Sequence, residues 1–418
     1  MQISRKIEAT PLVWLKGDEM TRYIMEMVHA KWITPFVDTS RWQYYDLGIK
    51  NRDATNDEVL YEAVKAGKEV CAIFKDATIT PSGDQVKEMG LSRAFGSPNK
   101  VIRQEWQGIS ISRDTVALPG VPLGYKKPVL FDRYPQGGLY NSSFYFATKP
   151  GKVVTTFIPD DTGTPEVVDE RQTSGKEVVV NFTTPIEPMK PFARNFFRRA
   201  LDAKTPAYLV TKKTAFKYQE AYWNEFKTLF DEEYAEKFTR AGLPPLAHIL
   251  TDAATIYLNN WRDGGFAFAA PNYEGDTLTD QLGAVHGSPA LVTSILTGIS
   301  SVDGRIIKEY EAIHGTGHTD WLDHQEGRRT SFNPLGLANA LWGAMDHSAT
   351  LYESPMADEQ RQFTRISRQV VERVVQKGTV TRDIARMFGD DRPYVSTEEF
   401  IEAIARGIAE TVPAALNL

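Results

Sequence analysis

Two aspartates stand four residues apart in the segment 272–280, Asn-Tyr-Glu-Gly-Asp-Thr-Leu-Thr-Asp. If this segment is helical, Asp276 and Asp280 lie one turn apart on one face, and their carboxylates repel unless a cation lies between them. Mg²⁺ prefers oxygen ligands and often takes only one or two protein carboxylates, which leaves room for substrate and water. The spacing therefore indicates either half of an open metal site or a solvated helix start, where acidic residues favour the helix dipole.

Five further residues have side chains suited to chemistry on an acidic substrate. Arg103, Arg113 and Arg133 all stand near turn-like segments of the first half of the chain. Because a guanidinium grips a carboxylate bidentately, three of them in one pocket would suit a substrate with several carboxylates, although each alone is more often a surface residue. Tyr140 and Lys212 would serve as acid and base only if burial or neighbours tune their pKa values.

The segment 313–320, Ile-His-Gly-Thr-Gly-His-Thr-Asp, contains glycines that would allow a nucleotide to approach the backbone closely. It does not match the G-x-G-x-x-G pattern of dinucleotide-binding turns. A carboxylate such as Asp320 near an adenosine ribose accepts hydrogen bonds from its hydroxyls and repels a 2′-phosphate. His314 and His318 have no Cys or Glu beside them and are weak candidates for metal ligands.

Strands and helices alternate in the pattern expected of an α/β protein. The pattern predicts strands at 11–15, 44–47, 70–74, 129–131 and 207–210, and helices at 16–32 and 57–68. The stretch from about 140 to 190 is β-rich, with runs at 153–158 and 176–182, and we interpret it as an appendage for subunit contact. In the helical C-terminal third, Gly378 ends one helix, and Ser396 with Glu399 forms a capping box for the last.

Composition excludes several classes of protein. The chain has 418 residues and a net charge of −6, which is ordinary for a globular protein of two or three lobes and argues against nucleic acid as a partner. Its one cysteine, Cys71, excludes a disulfide framework and a thiolate zinc site. No apolar run approaches the roughly 18 residues of a membrane span, and the N-terminus, Met-Gln-Ile-Ser-Arg-Lys, is not a secretory signal. We expect the cytoplasm or an organelle matrix, and no membrane partner.

Short motifs spread over nearly the whole chain carry a resemblance. The chain resembles isocitrate dehydrogenase of the eukaryotic-type homodimeric class, within the isocitrate/isopropylmalate dehydrogenase family. The related dehydrogenases of 3-isopropylmalate and homoisocitrate lack the Ser-Pro-Asn and Asn-Arg-Asp-Ala-Thr segments. The shared motifs are Gly-Asp-Glu-Met-Thr-Arg at 17–22, Tyr-Asp-Leu-Gly-Ile at 45–49, Asn-Arg-Asp-Ala-Thr at 51–55, Lys75 with Ala-Thr-Ile-Thr-Pro at 77–81, Ser-Pro-Asn at 97–99, Asn-Tyr-Glu-Gly-Asp at 272–276, His-Gly-Thr at 314–316 and Asn-Pro at 333–334.

The resemblance implies an α/β fold of the isocitrate/isopropylmalate dehydrogenase type, which is not a Rossmann fold. Residues 1–106 and 289–418 would form a large domain, 107–138 and 191–288 a small domain, and 139–190 a β-rich clasp that pairs two subunits. It also implies a homodimer whose active sites are shared between the subunits.

The resemblance also implies a role for individual residues. Thr80, Ser97, Asn99, Arg103, Arg113 and Arg133 match the positions that bind isocitrate. Tyr140 and Lys212 match the catalytic residues, and Lys212 would enter the site of the partner subunit. Asp276 and Asp280 match metal ligands, with Asp252 as a third ligand supplied across the dimer. The positions near the cofactor are Lys75, Thr78, His314, Gly315, Thr316, Gly317, Thr319, Asp320 and Asn333.

The cofactor positions depart from those of NADP-dependent members of this class. Those members carry an Arg-His pair that holds the 2′-phosphate, where this chain has Thr319 and Asp320. A Lys and a Gln that reach the phosphate from the partner are replaced by Trp261 and Leu258, and a further Arg by Gln85. Charge-assisted contacts contribute roughly 1.5–3 kcal/mol each, so the loss of two would shift preference by about 100-fold or more. We therefore predict a preference for NAD.

The implied reaction is the oxidative decarboxylation of isocitrate to 2-oxoglutarate and CO₂ with reduction of NAD⁺, dependent on Mg²⁺ or Mn²⁺, a step of the tricarboxylic acid cycle. Three alternatives stay open. The chain could be an NADP-dependent enzyme, a sister enzyme acting on homoisocitrate or 3-isopropylmalate, or a non-catalytic regulatory subunit. Retention of Tyr140, Lys212 and the acidic ligands argues against the last.

Overall fold

A computed structural model describes residues 4–389 and 392–418, so the first three residues of the N-terminal segment discussed above lie outside it. The strands are β1 (Ile7–Glu8), β2 (Leu12–Lys16), β3 (Val37–Asp38), β4 (Trp42–Asp46), β5 (Ala72–Lys75), β6 (Ser110–Ser112), β7 (Leu130–Arg133), β8 (Ser142–Ala147), β9 (Gly151–Phe157), β10 (Glu166–Thr173), β11 (Glu177–Phe182), β12 (Ala207–Thr211), β13 (Ala247–Leu250), β14 (Ala267–Ala270), β15 (Thr293–Ile299) and β16 (Ile306–Ala312).

The helices are α1 (Glu19–Val28), α2 (Ile49–Ala54), α3 (Glu58–Val70), α4 (Gly83–Glu88), α5 (Pro98–Glu105), α6 (Met189–Asp202), α7 (Glu220–Leu229), α8 (Ala235–Arg240), α9 (Thr251–Asn260), α10 (Asn272–His286), α11 (His318–Gln325), α12 (Leu335–Leu351), α13 (Pro355–Gln376), α14 (Arg382–Phe388) and α15 (Thr397–Leu416). Short π-helical segments follow α1 and α7, at His29–Ile33 and Phe230–Tyr234. The α/β prediction is therefore confirmed, and the helix predicted around the two aspartates is α10.

A ten-stranded mixed sheet dominates the described part of the chain, in the order β13-β12-β14-β7-β6-β15-β16-β5-β2-β4. Neighbours are parallel within the group β13 to β7 and within the group β16 to β4. Antiparallel pairings through β6 and β15 join the two groups. The carboxyl ends of parallel neighbours meet at one edge, so each group gathers the loops that follow its strands.

Local sequence explains the elements next to the site. The run Leu-Val-Trp-Leu in β2 is buried on both faces, as expected for a central parallel strand covered by helices. In α1, Met20, Ile24, Met25 and Val28 recur at helical spacing and are all buried. The predicted helix 16–32 starts late, because Lys16 still belongs to β2 and Asp18 has an extended backbone.

One predicted boundary was wrong. We expected a strand from Val70, but α3 continues through Val70 and β5 begins at Ala72. Cys71 ends the helix in the left-handed conformation, with φ +65°, which turns the chain directly into the strand. Val70 is apolar and buried in either element, so hydrophobicity alone does not locate the boundary.

The predicted C-terminal helices are confirmed. Phe363, Ile366, Val370 and Val371 are buried along one face of α13, and Gly378 follows its end with φ +92°. Ser396 and Glu399 form the predicted capping box of α15, in which each side chain accepts a hydrogen bond from the backbone of the other. Among the described residues, no helix is both long enough and apolar enough to cross a membrane.

Buried apolar residues form separate clusters in the two parts of the sheet. One large cluster joins α1, α12, α13 and α15 to β2, and another joins α6 and α7 to β12 and β14. The first cluster consists mainly of residues from the predicted large domain, and the second mainly of residues from the predicted small domain. The domain boundaries themselves stay a prediction.

Two antiparallel pairs project from the sheet over the predicted clasp. β9 pairs with β10, and β8 pairs with β11. Large apolar side chains lie exposed on these pairs, with Phe144 and Tyr145 each 68% exposed. Contiguous exposed apolar side chains of this kind are typical of interaction surfaces.

Candidate active site

One cavity of about 1050 Å³ gathers most of the residues predicted to bind a carboxylate-rich substrate. Its basic side chains outnumber its acidic ones, so it favours an anion. Ser97 precedes α5, and α5 itself carries Asn99 and Arg103. Arg113 follows β6, Arg133 ends β7, and Asp276 lies in α10. The predicted residues that line it are Ser97, Asn99, Arg103, Arg113, Arg133, Tyr140 and Asp276.

Asp276 is the centre of the charged network in this cavity. Its carboxylate accepts a hydrogen bond from Arg113 at 3.0 Å and another from Arg133, which is 1% exposed. Burial works to raise the pKa of Asp276, but the positive charges of Arg133 and Arg113 outweigh it, so the net pKa is lowered. Asp276 is therefore ionised at neutral pH, as a metal ligand must be.

The arginines carry more positive charge than Asp276 neutralises. Burial, and then the charges of Arg103 and Arg113, lower the pKa of Arg133 from its ordinary value. Within residues 4–389 and 392–418, Nη2 of Arg133 and Nε of Arg113 are buried donors without a hydrogen-bond partner. An anionic ligand would relieve the repulsion and satisfy such donors.

Tyr140 lies at the wall of this cavity and is partly exposed. Its hydroxyl donates a hydrogen bond to Asp276, and the Arg133 guanidinium lies 4.9 Å from the centre of its ring. Burial and the hydrogen bond to Asp276 raise the pKa of Tyr140. The hydroxyl therefore keeps its proton at neutral pH and is available as a donor.

Asp280 lies one turn beyond Asp276 on α10, as the spacing predicts. Burial raises the pKa of Asp280, and the charge of Asp276 adds to the rise while Arg113 opposes it. Two carboxylates in this arrangement provide the hard oxygen donors that Mg²⁺ prefers. The described residues of one chain contain no cluster of three or more His, Cys, Asp or Glu that could hold a metal. Asp276 and Asp280 thus suit half of a metal site.

Lys212 and Asp252 lie together at another place on the same sheet. β12 and β13 are parallel neighbours, with Thr211 opposite Leu250, so the residues that follow each strand meet. The Lys212 amine lies 2.8 Å from the Asp252 carboxylate, and the hydrogen bond from Lys212 lowers the pKa of Asp252. Neither residue lines the cavity of its own chain, which agrees with the expectation that both act in the partner's site.

A buried amide connects this pair to the helix of the aspartates. The backbone N–H of Lys212 donates to Oε1 of Gln219 at 2.6 Å. Nε2 of Gln219 donates in turn to Glu274, in the first turn of α10, at 2.6 Å. Gln219 is 1% exposed, so this chain of hydrogen bonds is shielded from water. It ties the loop that carries Lys212 to the helix that carries Asp276.

Several predicted cofactor residues lie at or just after the carboxyl ends of β5 and β16, which are parallel neighbours. Lys75 is buried, and its amine donates to Glu311 at 3.0 Å. Asn99 donates to the same carboxylate at 3.5 Å, so Glu311 joins the cofactor residues to the substrate cavity. Thr78 and Thr80 follow β5 in a loop that is fixed by Asp18, whose carboxylate accepts the N–H groups of Ile79 and Ile49.

The segment 313–317 leads into α11. Gly317, with φ +75°, is the residue before the helix, and Thr319 and Asp320 lie in its first turn. Burial raises the pKa of Asp320, while Arg382 opposes the rise. Asp320 thus places a hydrogen-bond acceptor, and Thr319 an uncharged side chain, at the two positions where the resemblance leads us to expect cations in NADP-dependent members. A carboxylate at the start of α11 can accept hydrogen bonds from ribose hydroxyls.

Two other predicted cofactor residues have structural contacts. The imidazole of His314 packs edge-on against Phe332, with 5.2 Å between ring centres, and burial lowers its pKa. Its Nε2 atom is buried without a partner among the described residues, which leaves a polar atom for a ligand. The Asn333 amide donates to Asp383 at 2.8 Å and accepts the N–H of Leu335. Gly315 and Thr316 follow His314 in the loop that leads from β16 to α11.

The three replaced cofactor positions have local explanations. Gln85 closes the capping box of α4 with Ser82. Leu258 is fully buried and packs in the apolar core of its own chain. Trp261 stacks on Tyr257, with 4.3 Å between ring centres. These side chains support local structure and contribute no positive charge.

Sequence reasoning missed several residues that complete the site. Asn272 accepts a hydrogen bond from Nε of Arg133 at 2.9 Å, and Thr279 accepts one from Arg113 at 2.7 Å. Both lie in the segment of the two aspartates, at helical spacing from Asp276, which was the available signal. Glu311 had a weaker signal, as the second acidic residue of strand β16, two positions after Glu309. Gln219 had none, because its contacts are distant in sequence.

Comparison with known proteins places this geometry in a family. A family model described as isocitrate/isopropylmalate dehydrogenase matches residues 155–404. The chain is 46% identical to "Isocitrate dehydrogenase (NAD(+)), mitochondrial" of Ostreococcus tauri, over 96% of this chain and 86% of the relative. It is 43% identical to "Isocitrate dehydrogenase [NAD(+)] 1, mitochondrial" of Phaeodactylum tricornutum, over 97% of this chain and 75% of the relative.

A solved structure agrees. The crystal structure of isocitrate dehydrogenase from Ostreococcus tauri, in complex with isocitrate and magnesium(II), matches with a TM-score of 0.89 and 45% identity. The match covers 96% of this chain and all of that chain. The resemblance found in the motifs therefore extends to the whole fold, and the chain belongs to the isocitrate/isopropylmalate dehydrogenase family.

Proposed function

We propose that this protein is an isocitrate dehydrogenase that converts isocitrate and NAD⁺ to 2-oxoglutarate, CO₂ and NADH. The observation that carries the proposal is the cavity in which Arg103, Arg113 and Arg133 converge beside Tyr140 and Asp276. Isocitrate bears three carboxylates and a hydroxyl, which match three guanidinium groups and a metal-binding carboxylate. The relatives named for NAD and the structure holding isocitrate and magnesium support the same activity.

The cations of the cavity would bind and orient the substrate. Arg113 and Arg133 are held by Asp276 and Asn272, so they are placed before the ligand arrives, which lowers the entropy lost on binding. Asp276 and Asp280, with Asp252 of the partner subunit, would hold Mg²⁺ or Mn²⁺, which as a Lewis acid polarises the substrate's hydroxyl and adjacent carboxylate. Asp320 would help to hold NAD⁺, which would supply the acceptor for the hydride.

Two residues would move protons. Lys212, entering from the partner subunit, takes the proton of the substrate hydroxyl, directly or through water. Tyr140 donates a proton to the carbon that loses CO₂, and its raised pKa keeps that proton available at neutral pH. Each role assigns one proton transfer to one side chain, and substitution of that side chain tests it.

Initial rates with DL-isocitrate and Mn²⁺ test the reaction. We expect NADH to form, and kcat/KM to be higher with NAD⁺ than with NADP⁺. Parallel assays with homoisocitrate and 3-isopropylmalate separate the sister activities. Isocitrate binding without turnover would indicate a regulatory subunit, and a higher kcat/KM with NADP⁺ would contradict the cofactor preference.

We further infer that the active protein is a homodimer. The exposed apolar side chains of the two antiparallel pairs, β8 with β11 and β9 with β10, support this inference. The separation of Lys212 and Asp252 from the cavity of their own chain also supports it. Co-expressed Tyr140→Phe and Lys212→Met subunits give mixed dimers in which one site of two is intact. Random pairing should restore about a quarter of wild-type activity, as expected for a symmetric dimer. No recovery in a stable mixed dimer would contradict shared sites.

The compartment is a coarser inference. Two of the relatives are described as mitochondrial, which favours an organelle matrix for this protein as well. Fractionation of the source cells, with activity followed against a matrix marker, tests this inference.

A further inference from the structure

Glu19, at the start of α1, makes contacts that the proposed reaction does not use. Its carboxylate is 9% exposed although it belongs to a charged residue. One oxygen accepts a hydrogen bond from Nδ1 of His318 at 2.6 Å, and the other accepts one from the hydroxyl of Thr316. Both partners lie about 300 residues away in sequence, on the two sides of Gly317.

The backbone of Glu19 adopts a conformation that such a residue rarely takes. Its φ is +54°, in the left-handed region, which costs free energy for a residue other than glycine. Such a conformation persists only where surrounding contacts hold it, and it is concentrated at sites with a function. Here it directs the carboxylate toward the loop 314–318. The backbone N–H of Thr21 also donates to the carbonyl of Thr316, at 3.2 Å.

On the other side of the loop 314–318, close packing leaves Gly317 little room to move. A Cβ at Gly317 would lie 2.6 Å from the ring of Phe332 and 2.9 Å from Cβ of Met20. Gly317 is the residue before α11, and Asp320 lies in the first turn of that helix. A shift of the loop would therefore move the start of α11 and displace Asp320.

We propose that Glu19 and His318 are positioning residues that fix the loop 314–318 for cofactor binding and set the position of Asp320. They form a latch between the start of α1 and the start of α11, in which the imidazole must carry its proton on Nδ1. The inference rests on the proposed use of NAD and goes beyond it, because neither residue is among those expected to contact the cofactor. The latch should act on cofactor affinity and selectivity rather than on the chemical step.

His318 offers a clean test because its side chain is 56% exposed, so its replacement should not disturb the core. His318→Ala removes the donor, while His318→Asn places an amide N–H close to the position of Nδ1. His318→Gln places its amide farther out and should not substitute. Gln325→Ala, at the exposed far end of α11, is the matched control. The primary measurement is the Kd of NADH by calorimetry on metal-free enzyme, which is independent of turnover.

We expect His318→Ala and His318→Gln to raise the Kd of NADH about 5- to 10-fold, as the loss of one charge-assisted hydrogen bond on a partly exposed group would do. His318→Asn and the control should stay within about two-fold of wild type on the same scale. At saturating NAD⁺, kcat should stay unchanged, while the NAD/NADP ratio of kcat/KM falls in His318→Ala. Glu19→Ala should raise the Kd similarly, and the double variant should be no worse than Glu19→Ala alone.

An unchanged Kd in His318→Ala would overturn the latch, as would failure of His318→Asn to restore binding. Strictly additive effects of Glu19→Ala and His318→Ala would also overturn it, because two residues of one latch must be coupled. If wild-type protein fails to bind NADH at all, the proposed cofactor is wrong, and that failure is seen before any variant is made.

Discussion

Asp276 and Asp280 are neighbours on one helix face, yet the structure predicts opposite effects on stability when each is neutralised. Asp276 is paired with Arg113 and with the buried Arg133, whereas Asp280 has no ion-pair partner within residues 4–389 and 392–418. The informative perturbations are therefore Asp276→Asn and Asp280→Asn. Both keep the shape and helix position of the side chain and remove one negative charge.

The pair between Asp276 and Arg113 provides the magnitude. Two unit charges 3.0 Å apart interact by about 5 kcal/mol at an effective dielectric constant of about 20. The Asp276 side chain is 32% exposed, and asparagine still accepts a hydrogen bond, so the net loss is smaller. We expect the free energy of unfolding to fall by about 2 kcal/mol, because a nearly buried guanidinium loses its counter-ion. For a chain of 418 residues the melting temperature should fall by roughly 2 °C.

The pKa shifts of the two aspartates predict the sign of each change in stability. The pKa of Asp276 is lower in the folded protein, so ionisation of Asp276 stabilises the fold above its unfolded pKa, and this contribution is lost as pH falls through the folded pKa. The pKa of Asp280 is raised, so its charge opposes folding at neutral pH. Asp280→Asn should therefore leave the melting temperature unchanged or slightly higher when no metal is present.

Thermal unfolding at pH 7.5 in EDTA, followed by the same scan with Mg²⁺ and isocitrate, separates stability from metal binding. Ligands at 100 times their Kd should stabilise the wild type by about 2.7 kcal/mol, and both variants should lose most of that gain. Equal destabilisation of the two variants in EDTA would refute the charge assignment. A full ligand-induced shift in either variant would refute its role as a metal ligand.

Other expectations follow from single contacts. Tyr140→Phe should lower kcat by about 100-fold or more while the Kd of isocitrate changes little, because it removes a proton donor; an unchanged kcat would exclude that role. Asp320→Asn should raise the NADP⁺/NAD⁺ ratio of kcat/KM by about 10-fold, since it removes repulsion of the 2′-phosphate; an unchanged ratio would place the selectivity elsewhere. Phe144→Asp with Tyr145→Asp should yield monomers in light scattering and abolish turnover, and an active dimer would argue against the clasp. Gln219→Leu should lower kcat without changing the dimer, and unaltered kinetics would show that its hydrogen bonds are only structural.

The amino-acid sequence alone predicted the main helices and strands and most of the candidate residues that line the cavity. Periodicity placed α1, α13 and the buried strands, because apolar side chains must face the core at the spacing of their element. The motifs around Asp276, His314 and Ser97 indicated the family. The spacing of Asp276 and Asp280 alone left both a metal site and a solvated helix start as interpretations, with the helix start favoured.

The pairing of these residues, and its effect on their charges, is visible only in the folded chain. That Asp276 neutralises Arg113 and Arg133, while Asp280 does not, follows from β7 and β14 lying side by side. That Lys212 meets Asp252 and not the cavity of its own chain follows from the pairing of β12 with β13. The contacts of Glu19, Gln219 and Glu311 join segments far apart along the chain. Local sequence specifies backbone conformation and burial, but charge pairing depends on distances that only the assembled sheet defines.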